Sequence, residues 1–323
     1  MKTQKKILIT GIAGFIGFHL ASFLNKNKDY VIGCDNFNDY YTPELKKTRA
    51  EKLKEEGIEI FSLDIRNLND HLDLFKEKGI THIVHLAAQA GVRYSITHPM
   101  AYADSNLSGF LSVLELARTL NTKLIFASSS SVYGSNTKIP FSESDPTDSP
   151  VSLYAATKKS GELLAKSYHH LYNIPTTGLR FFTVYGPWGR PDMAYYSFAE
   201  KIAKGLPIPV FNHGKMERDC TYIDDIISGT VAAIDRCSGF ELYNLGGNHP
   251  ETLMRLITLL ESALGKKALL DYKPLQPGDV ITTFADITKA QRDLDFHPQT
   301  SLETGISKFT DWFLRYQEAA RGL

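Results

Sequence analysis

The feature that most constrains the fold is a glycine-rich segment, TGIAGFIG at residues 10–17, which joins the apolar segment KILIT to a second apolar stretch. Glycines let the backbone turn tightly and approach a pyrophosphate, whose charge then lies at a helix N-terminus. Alone, the spacing G-x-x-G-x-x-G fits an ordinary strand–helix turn as well. Its position after an N-terminal strand favours a dinucleotide site formed by Gly11, Gly14, Phe15, Ile16 and Gly17.

An acidic residue supports this interpretation. Asp35 ends the second predicted strand, 18 residues after Gly17, near the spacing of about 20 for the carboxylate that accepts ribose hydroxyls. Such a carboxylate would repel a 2′-phosphate, so NAD is favoured over NADP. Further cofactor contacts are predicted at residues that follow the second, third and fourth strands: Asn36, Asp64, Ile65, Leu86, Ala87 and Ala88.

Strand and helix patterns alternate along the first half of the chain. Strands are predicted at residues 6–10, 30–34, 58–61, 80–85 and 123–127, and helices at residues 15–25, 44–56, 68–78, 99–120 and 152–172. This alternation predicts an α/β fold, a Rossmann-type doubly wound parallel sheet with its ligand beyond the carboxyl ends of the strands. We expect an NAD-binding domain at residues 1–180, to which residues 222–246 return, and a smaller C-terminal α/β substrate domain at 181–323.

Tyr154 and Lys158 form the candidate catalytic pair. Their i, i+4 spacing places both side chains on one helix face. A nearby ammonium favours the phenolate, so the pair could supply a base for a sugar hydroxyl while NAD takes the hydride. The competing interpretation is an exposed Tyr–Lys pair on a helix surface. Ser129, directly after a predicted strand, could share a hydrogen bond with the reacting hydroxyl.

Composition excludes several classes of protein. Lys plus Arg number 36 and Asp plus Glu also number 36, so the chain lacks the net positive charge expected of a nucleic-acid binder. No apolar run reaches the roughly 18 residues of a membrane helix. The three cysteines, Cys34, Cys220 and Cys237, have no paired spacing, which predicts a reducing cytoplasmic location. The ten histidines form no metal-binding pair. The charged run ELKKTRAEKLKEE is expected to be a solvated helix face.

Several motifs together carry a family resemblance. TGIAGFIG, HLAAQAG, ASSSSVYG and YAATK resemble the extended short-chain dehydrogenases/reductases that act on nucleotide sugars. DNFNDYY, PVSLYAATKK and RFFTVYGPWGRPDMA are most similar to the UDP-glucuronate 4-epimerases, and the resemblance spans nearly the whole chain. It implies a Ser129, Tyr154, Lys158 triad, a tightly retained NAD, and Asn106 as a residue that orders the site. It also implies a homodimer formed through the helices at 99–120 and 152–172.

The reaction that this resemblance implies is oxidation at C4, rotation of the 4-keto sugar and reduction on its other face. The 4-keto form of a uronate is a β-keto acid and loses CO₂ readily unless its carboxylate is held out of alignment with the carbonyl. Hydroxyls and a guanidinium suit this role. Our candidates are Ser130, Ser131, Thr183 and Arg190, and strand-end capping is the alternative for the two serines.

The UDP moiety has its own candidates, each of which could instead form a surface or interdomain ion pair. Arg190 and Arg218 could bind the pyrophosphate, Val210 and Asn212 could flank the uracil, Asp279 could hold a ribose hydroxyl, and Arg93 could reach the substrate. Thr183 stands where many UDP-hexose epimerases have Asn, which favours a carboxylate-bearing ring.

Related chemistries remain as alternatives. Nucleotide-sugar 4,6-dehydratases carry an Asp-Glu pair where Ser130 and Ser131 stand, and decarboxylating relatives typically have Glu at the Ser131 position. Neither pattern is present here. A UDP-hexose 4-epimerase and a UDP-glucuronate decarboxylase are the alternative enzymes. A cofactor-sensing binding protein is the alternative class, although such proteins often lack the Tyr/Lys pair.

Overall fold

A computed structural model describes residues 4–276 and 278–321 of the chain. Its strands, in chain order, are β1 (Lys6–Thr10), β2 (Tyr30–Asp35), β3 (Glu59–Ser62), β4 (His82–His85), β5 (Lys123–Ser129), β6 (Thr176–Phe181), β7 (Thr183–Tyr185), β8 (Pro207–Phe211), β9 (Glu217–Tyr222), β10 (Phe240–Leu245), β11 (Pro250–Thr252) and β12 (Leu269–Lys273).

Seven of these strands form one parallel sheet in the order β10-β6-β5-β4-β1-β2-β3. Side chains alternate between the two faces of a strand, so Ile7 and Ile9 join one buried apolar cluster while Leu8 joins another. Helices cover both faces, as parallel sheets require. The predicted doubly wound α/β fold is confirmed. Two smaller sheets, β11-β9-β7 and β12-β8, lie in the second half of the chain.

The helices are α1 (Phe15–Lys26), α2 (Pro43–Glu55), α3 (Leu72–Lys78), α4 (Tyr94–Thr97), α5 (Pro99–Tyr102), α6 (Phe110–Leu120), α7 (Leu153–Tyr172), α8 (Ala194–Ala203), α9 (Ile223–Arg236), α10 (Leu253–Leu264), α11 (Thr288–Leu294) and α12 (Leu302–Arg321). No helix among the described residues combines the length and apolar character needed to cross a membrane. The segment predicted to return, residues 222–246, ends in β10, which pairs with β6 at the edge of the main sheet.

The helix predicted at 99–120 is not one regular α-helix. A π-helical segment, Ala103–Gly109, separates α5 from α6 and contains Asn106. A π-helical turn holds more residues than an α-helical turn, which shifts the side chains that follow. Such segments are frequent at functional sites. Here the segment lies beside the site because Asn106 bonds to the loop after β4 and to α7.

The charged run in α2 is only partly solvated, contrary to expectation. Lys46 is 6% exposed and Arg49 is fully buried. Arg49 donates to the carbonyls of Ala13, at 3.0 Å, and Gly189, at 3.0 Å. Arg49 of α2 therefore links the glycine-rich turn to the loop that contains Gly189.

Candidate active site

A cavity of about 420 Å³ opens at the carboxyl ends of the main-sheet strands. This is where the loops that follow parallel strands converge, and where ligands bind in doubly wound folds. It brings together most of the predicted site residues: Gly11, Gly14, Phe15, Ile16, Gly17, Asp35, Asn36, Ile65, Leu86, Ala87, Ala88, Ser129, Ser130, Ser131, Tyr154, Lys158, Thr183, Arg190, Arg218 and Asp279.

The glycine-rich turn is shaped so that no side chain fits. Gly11 has φ +72°, and a Cβ there would lie 2.7 Å from the Ala87 nitrogen. A Cβ at Gly17 would lie 2.3 Å from the Gly11 carbonyl oxygen. The N-cap of α1 is Gly14, which offers no side chain to the N–H groups of the first turn. The turn therefore presents backbone donors at a helix N-terminus, as a pyrophosphate requires.

Asp35 is held at the end of β2 by two backbone donors. Its Oδ2 accepts from the Ala13 N–H at 3.1 Å, and its Oδ1 accepts from the Phe37 N–H at 2.9 Å. Burial raises the pKa of Asp35, while these hydrogen bonds and the charge of Lys46 oppose the rise. The carboxylate lines the cavity in a fixed orientation, which fits a ribose diol.

Tyr154 and Lys158 both line the cavity from the first turns of α7. The Lys158 nitrogen lies 5.9 Å from the centroid of the Tyr154 ring and donates to the Ala127 carbonyl at 2.8 Å. Burial raises the pKa of Tyr154, and a hydrogen bond with Ser129 and the charge of Arg190 act against it. Burial and Arg190 lower the pKa of Lys158 to about 8.

Two cations, Lys158 and Arg190, line the cavity together with Tyr154. The ammonium of Lys158, which is predicted to favour the phenolate, lies near the Tyr154 ring and donates to the carbonyl of Ala127 in β5. The charge of Arg190 lowers the pKa of the phenol. Arg190 is in turn paired with Asp192, whose oxygens accept at 3.0 and 2.6 Å.

The serine-rich segment after β5 provides hydroxyls at the cavity. The Ser129 hydroxyl accepts from the Ser131 N–H at 3.2 Å and donates to the Ser131 hydroxyl at 3.1 Å. Ser129, and not Ser130 or Ser131, therefore caps the following turn. Behind them, Ser128 donates to Glu162 at 2.7 Å, which fixes the end of β5 against α7.

Five predicted residues are absent from the described cavity wall. Val210 is fully buried in β8, because alternation along the strand turns it into the core. Asn212 donates to the Lys215 carbonyl in the next turn. Arg93 pairs with Asp279 at 3.0 Å and covers the Phe211 ring.

The other two absent residues lie just behind the wall. Asp64 caps the turn after β3 and accepts from Arg66 and Asn36; burial opposes this, but these bonds lower its pKa to about 2. Asn106 accepts from the Gln89 N–H at 2.8 Å and donates to Thr157 at 3.0 Å. Asn106 therefore ties the loop after β4 to the helix that carries the Tyr/Lys pair.

Other lining residues had no predicted role. Tyr40, Tyr41, Asn38 and Lys46 follow Asp35 and line the cavity. Lys46 donates to the Asn38 carbonyl and side chain, both at 2.6 Å; burial lowers its pKa to about 8. The motif DNFNDYY, which contains Asn38, Tyr40 and Tyr41, is the sequence signal for this part of the cavity wall. Among the residues described, no group of three His, Cys, Asp or Glu side chains is placed to hold a metal ion.

Comparisons with known proteins agree with this geometry. The profile of the GDP-mannose 4,6-dehydratase family matches residues 8–309. UDP-glucuronate 4-epimerase 4 of Arabidopsis thaliana is 49% identical over 96% of this chain and 75% of its own length.

Solved structures give the same result. UDP-glucuronic acid 4-epimerase from Bacillus cereus, in complex with UDP-glucuronic acid and NAD, is 37% identical with a TM-score of 0.90, covering 96% of this chain and 99% of that one. UDP-glucose 4-epimerase from Thermotoga maritima, with UDP-glucose, is 30% identical with a TM-score of 0.87, covering 97% and 99%.

Proposed function

We infer that this chain, which belongs to the GDP-mannose 4,6-dehydratase family, is an isomerase that converts UDP-glucuronate to UDP-galacturonate by NAD-dependent 4-epimerisation. One observation carries the inference. A single cavity combines a dinucleotide turn, a Tyr/Lys pair and the guanidinium of Arg190. The similarity to epimerases of this specificity extends over nearly the whole chain.

The residues of the cofactor side fit NAD. Gly11 and Gly17 leave room only for backbone, and Asp35 offers its carboxylate where a ribose diol would lie. A phosphate on that ribose would meet the negative charge of Asp35. NAD supplies the group that accepts hydride from C4 of the sugar and returns it.

Tyr154 is the base and acid of the reaction. It removes the proton from the O4 hydroxyl as C4 is oxidised and gives a proton back to O4 on reduction. Ser129, which lines the same cavity as Tyr154, is proposed to orient O4. Lys158 and Arg190 place positive charge beside the phenol, and Lys158 is anchored by the Ala127 carbonyl.

The side chains at 130 and 131 distinguish epimerisation from dehydration. Loss of water across C5 and C6 requires an acid and a base at the sugar, whereas this chain presents two hydroxyls there. Ser130, Ser131, Thr183 and Arg190 all line the cavity. We propose that they hold the substrate carboxylate, so that the 4-keto sugar is reduced before it loses CO₂.

The UDP moiety is proposed to bind between the two halves of the chain, with residues 181–323 as the substrate domain. Arg218 and Asp279 line the cavity on this side, and Arg93 fastens Asp279. A guanidinium suits the pyrophosphate and a carboxylate suits a ribose hydroxyl. Arg218 is accordingly assigned to the pyrophosphate and Asp279 to the ribose.

We also propose that two copies pair through the face formed by α5, α6 and α7. Met100 is 68% exposed, Leu163 57% and Leu171 61%, and Leu111 on α6 is also exposed. Exposed apolar side chains on adjoining helices indicate a protein interface. The cysteines Cys34, Cys220 and Cys237 are all unpaired, which supports the proposed cytoplasmic location.

Incubating the purified protein with UDP-glucuronate and following the sugar by NMR tests the function. We expect UDP-galacturonate to form with no net change in NAD. Tyr154→Phe should reduce kcat by roughly 10²–10⁴-fold because the O4 proton then has no acceptor. Tyr30→Phe, which removes a hydroxyl from the opposite end of β2, is the control and should keep its activity. Accumulation of a UDP-pentose, or turnover unaffected by Tyr154→Phe, would contradict the proposal.

A further inference from the structure

Arg190 is held by Asp192, and Asp192 is held in turn by Tyr40 from a distant part of the chain. Its Nε and Nη2 donate to the two oxygens of Asp192 at 3.0 and 2.6 Å. The Tyr40 hydroxyl donates to Asp192 Oδ2 at 3.0 Å, across 152 residues of sequence. The segment that follows the cofactor residue Asp35 therefore helps to hold Arg190, a cation from a distant part of the chain.

The Tyr40 phenol has little freedom to leave this position. A Cβ at Gly91 would lie 2.2 Å from the Tyr40 hydroxyl, so only glycine lets the ring pack there. The ring of Tyr94 meets Tyr40 edge-on at 4.9 Å between centroids. Close packing of this kind limits a side chain to one rotamer. Tyr40 is thus a rigid donor to Asp192.

Arg190 lies where a group on the sugar can reach it. It lines the cavity, and its charge lowers the pKa of both Tyr154 and Lys158. A guanidinium has five N–H donors. The pair with Asp192 uses two of them, which leaves three for a ligand.

We propose that Tyr40 and Asp192 are positioning residues that hold Arg190 for a uronate carboxylate and so set the preference for a uronate over a neutral hexose. This inference rests on the proposed function. Asp192 fixes the plane of the guanidinium through two bonds, and Tyr40 fixes Asp192. A planar guanidinium recognises a second carboxylate only when its orientation is set. Without these two residues Arg190 remains in the cavity but loses its fixed orientation.

Two variants separate positioning from charge. Tyr40→Phe removes one hydroxyl and leaves the charges of Asp192 and Arg190 unchanged. Asp192→Glu keeps the negative charge but moves it by one methylene. Tyr30→Phe is the matched control for the first, since Tyr30 also donates to a carboxylate, Glu59, at 3.1 Å. Asp293→Glu is the matched control for the second, since Asp293 pairs with Arg292 through two bonds at the surface.

The measurement is calorimetric binding of UDP-glucuronate and of UDP-glucose to the NAD-loaded protein. For UDP-glucuronate, the Kd should rise about fivefold in Tyr40→Phe and about tenfold in Asp192→Glu, as expected for weakened bonds to a charged group. The Kd for UDP-glucose should stay within about twofold, since a neutral ring does not use the oriented guanidinium. In turnover, both variants should release more CO₂ per epimerisation than the wild type.

Each outcome identifies what has failed. Equal weakening of both ligands would mean that the two residues only support the structure, and it would overturn the inference. A wild-type preference for UDP-glucuronate that survives in both variants would also overturn the inference and leave the proposed function standing. Equal affinity of the wild-type protein for both ligands would overturn the proposed function, and the inference with it.

Discussion

Two arginine–carboxylate pairs lie near the candidate active site, and they differ in their surroundings. Arg180 and Glu162 meet through two bonds of 2.8 and 2.9 Å, with side chains only 2% and 3% exposed. Arg190 and Asp192 meet through bonds of similar length, but their side chains are 24% and 27% exposed at the cavity. The bonding is the same, but the access to water and ligand is not.

This difference assigns the two pairs different roles. We call the buried Arg180–Glu162 pair the sealed pair. In it, Glu162 also accepts from Ser128, and Arg180 donates to the Tyr133 hydroxyl at 3.0 Å. The sealed pair therefore joins α7, the helix that carries Tyr154 and Lys158, to β5 and β6. We call the Arg190–Asp192 pair at the cavity the open pair. In it, Arg190 has N–H donors that Asp192 does not use and that a ligand could bind. We expect the sealed pair to support stability and the open pair to support recognition.

The largest expected effect is on the sealed pair. Glu162→Gln should lower the free energy of unfolding by about 3–5 kcal/mol, because it leaves the Arg180 charge buried without a counter-charge. Urea unfolding followed by circular dichroism measures this. Glu115→Gln breaks an exposed pair with Arg118 and should cost less than about 1 kcal/mol. Equal losses in the two variants would refute the distinction.

An intermediate effect is expected at Lys158, a buried cation one helical turn before Glu162. Among the ion pairs of residues 4–276 and 278–321, none includes Lys158, and burial lowers its pKa to about 8. Lys158→Met should raise the free energy of unfolding at pH 7 by roughly 1–3 kcal/mol. Its activity should fall at least about 10²-fold, since the variant loses the cation near Tyr154.

The pH dependence of this gain has a definite sign. The pKa of Lys158 is lower in the folded protein than in the unfolded chain, so the unfolded chain binds more protons from about pH 8 to the ordinary lysine pKa. The penalty for burying the charge is complete below pH 8 and fades as pH rises through that window. The advantage of Lys158→Met should therefore shrink between pH 7 and pH 9.5 in paired unfolding curves. A constant advantage would contradict the assignment.

The smallest expected effect on stability is at the open pair. Asp192→Asn should change the free energy of unfolding by less than about 1 kcal/mol, because water can reach the Arg190 guanidinium at the cavity. Thermal unfolding of this variant beside Glu162→Gln makes the comparison directly. A loss as large as that of Glu162→Gln would show that the open pair is also structural.

The sequence predicted the main sheet and the cofactor side of the site because their signals are local. The glycine-rich turn, Asp35 and the Tyr154/Lys158 spacing each lie within one strand–turn–helix unit or one helix. Their positions therefore follow from short-range pattern once the strands are assigned. Ser129 could be predicted from the sequence for the same reason, since it lies directly at the end of β5.

The substrate side of the site was harder to predict from the sequence because its contacts join distant segments. Nothing near Tyr40 in the sequence indicates that it reaches Asp192, or that Arg49 reaches Gly189. The face of Val210 depended on the register of β8, which pairs with β12 some 60 residues later. The pKa shifts of Tyr154 and Lys158 depend on the position of Arg190, and the spacing of residues along α7 does not give that position.

In the proposed reaction, the hydride that leaves C4 of the uronate returns to the same carbon. UDP-glucuronate carrying deuterium at C4, converted in ordinary water and examined by NMR and mass spectrometry, tests this claim most directly. We expect UDP-galacturonate that keeps its deuterium at C4. Product whose deuterium has exchanged with solvent would contradict it.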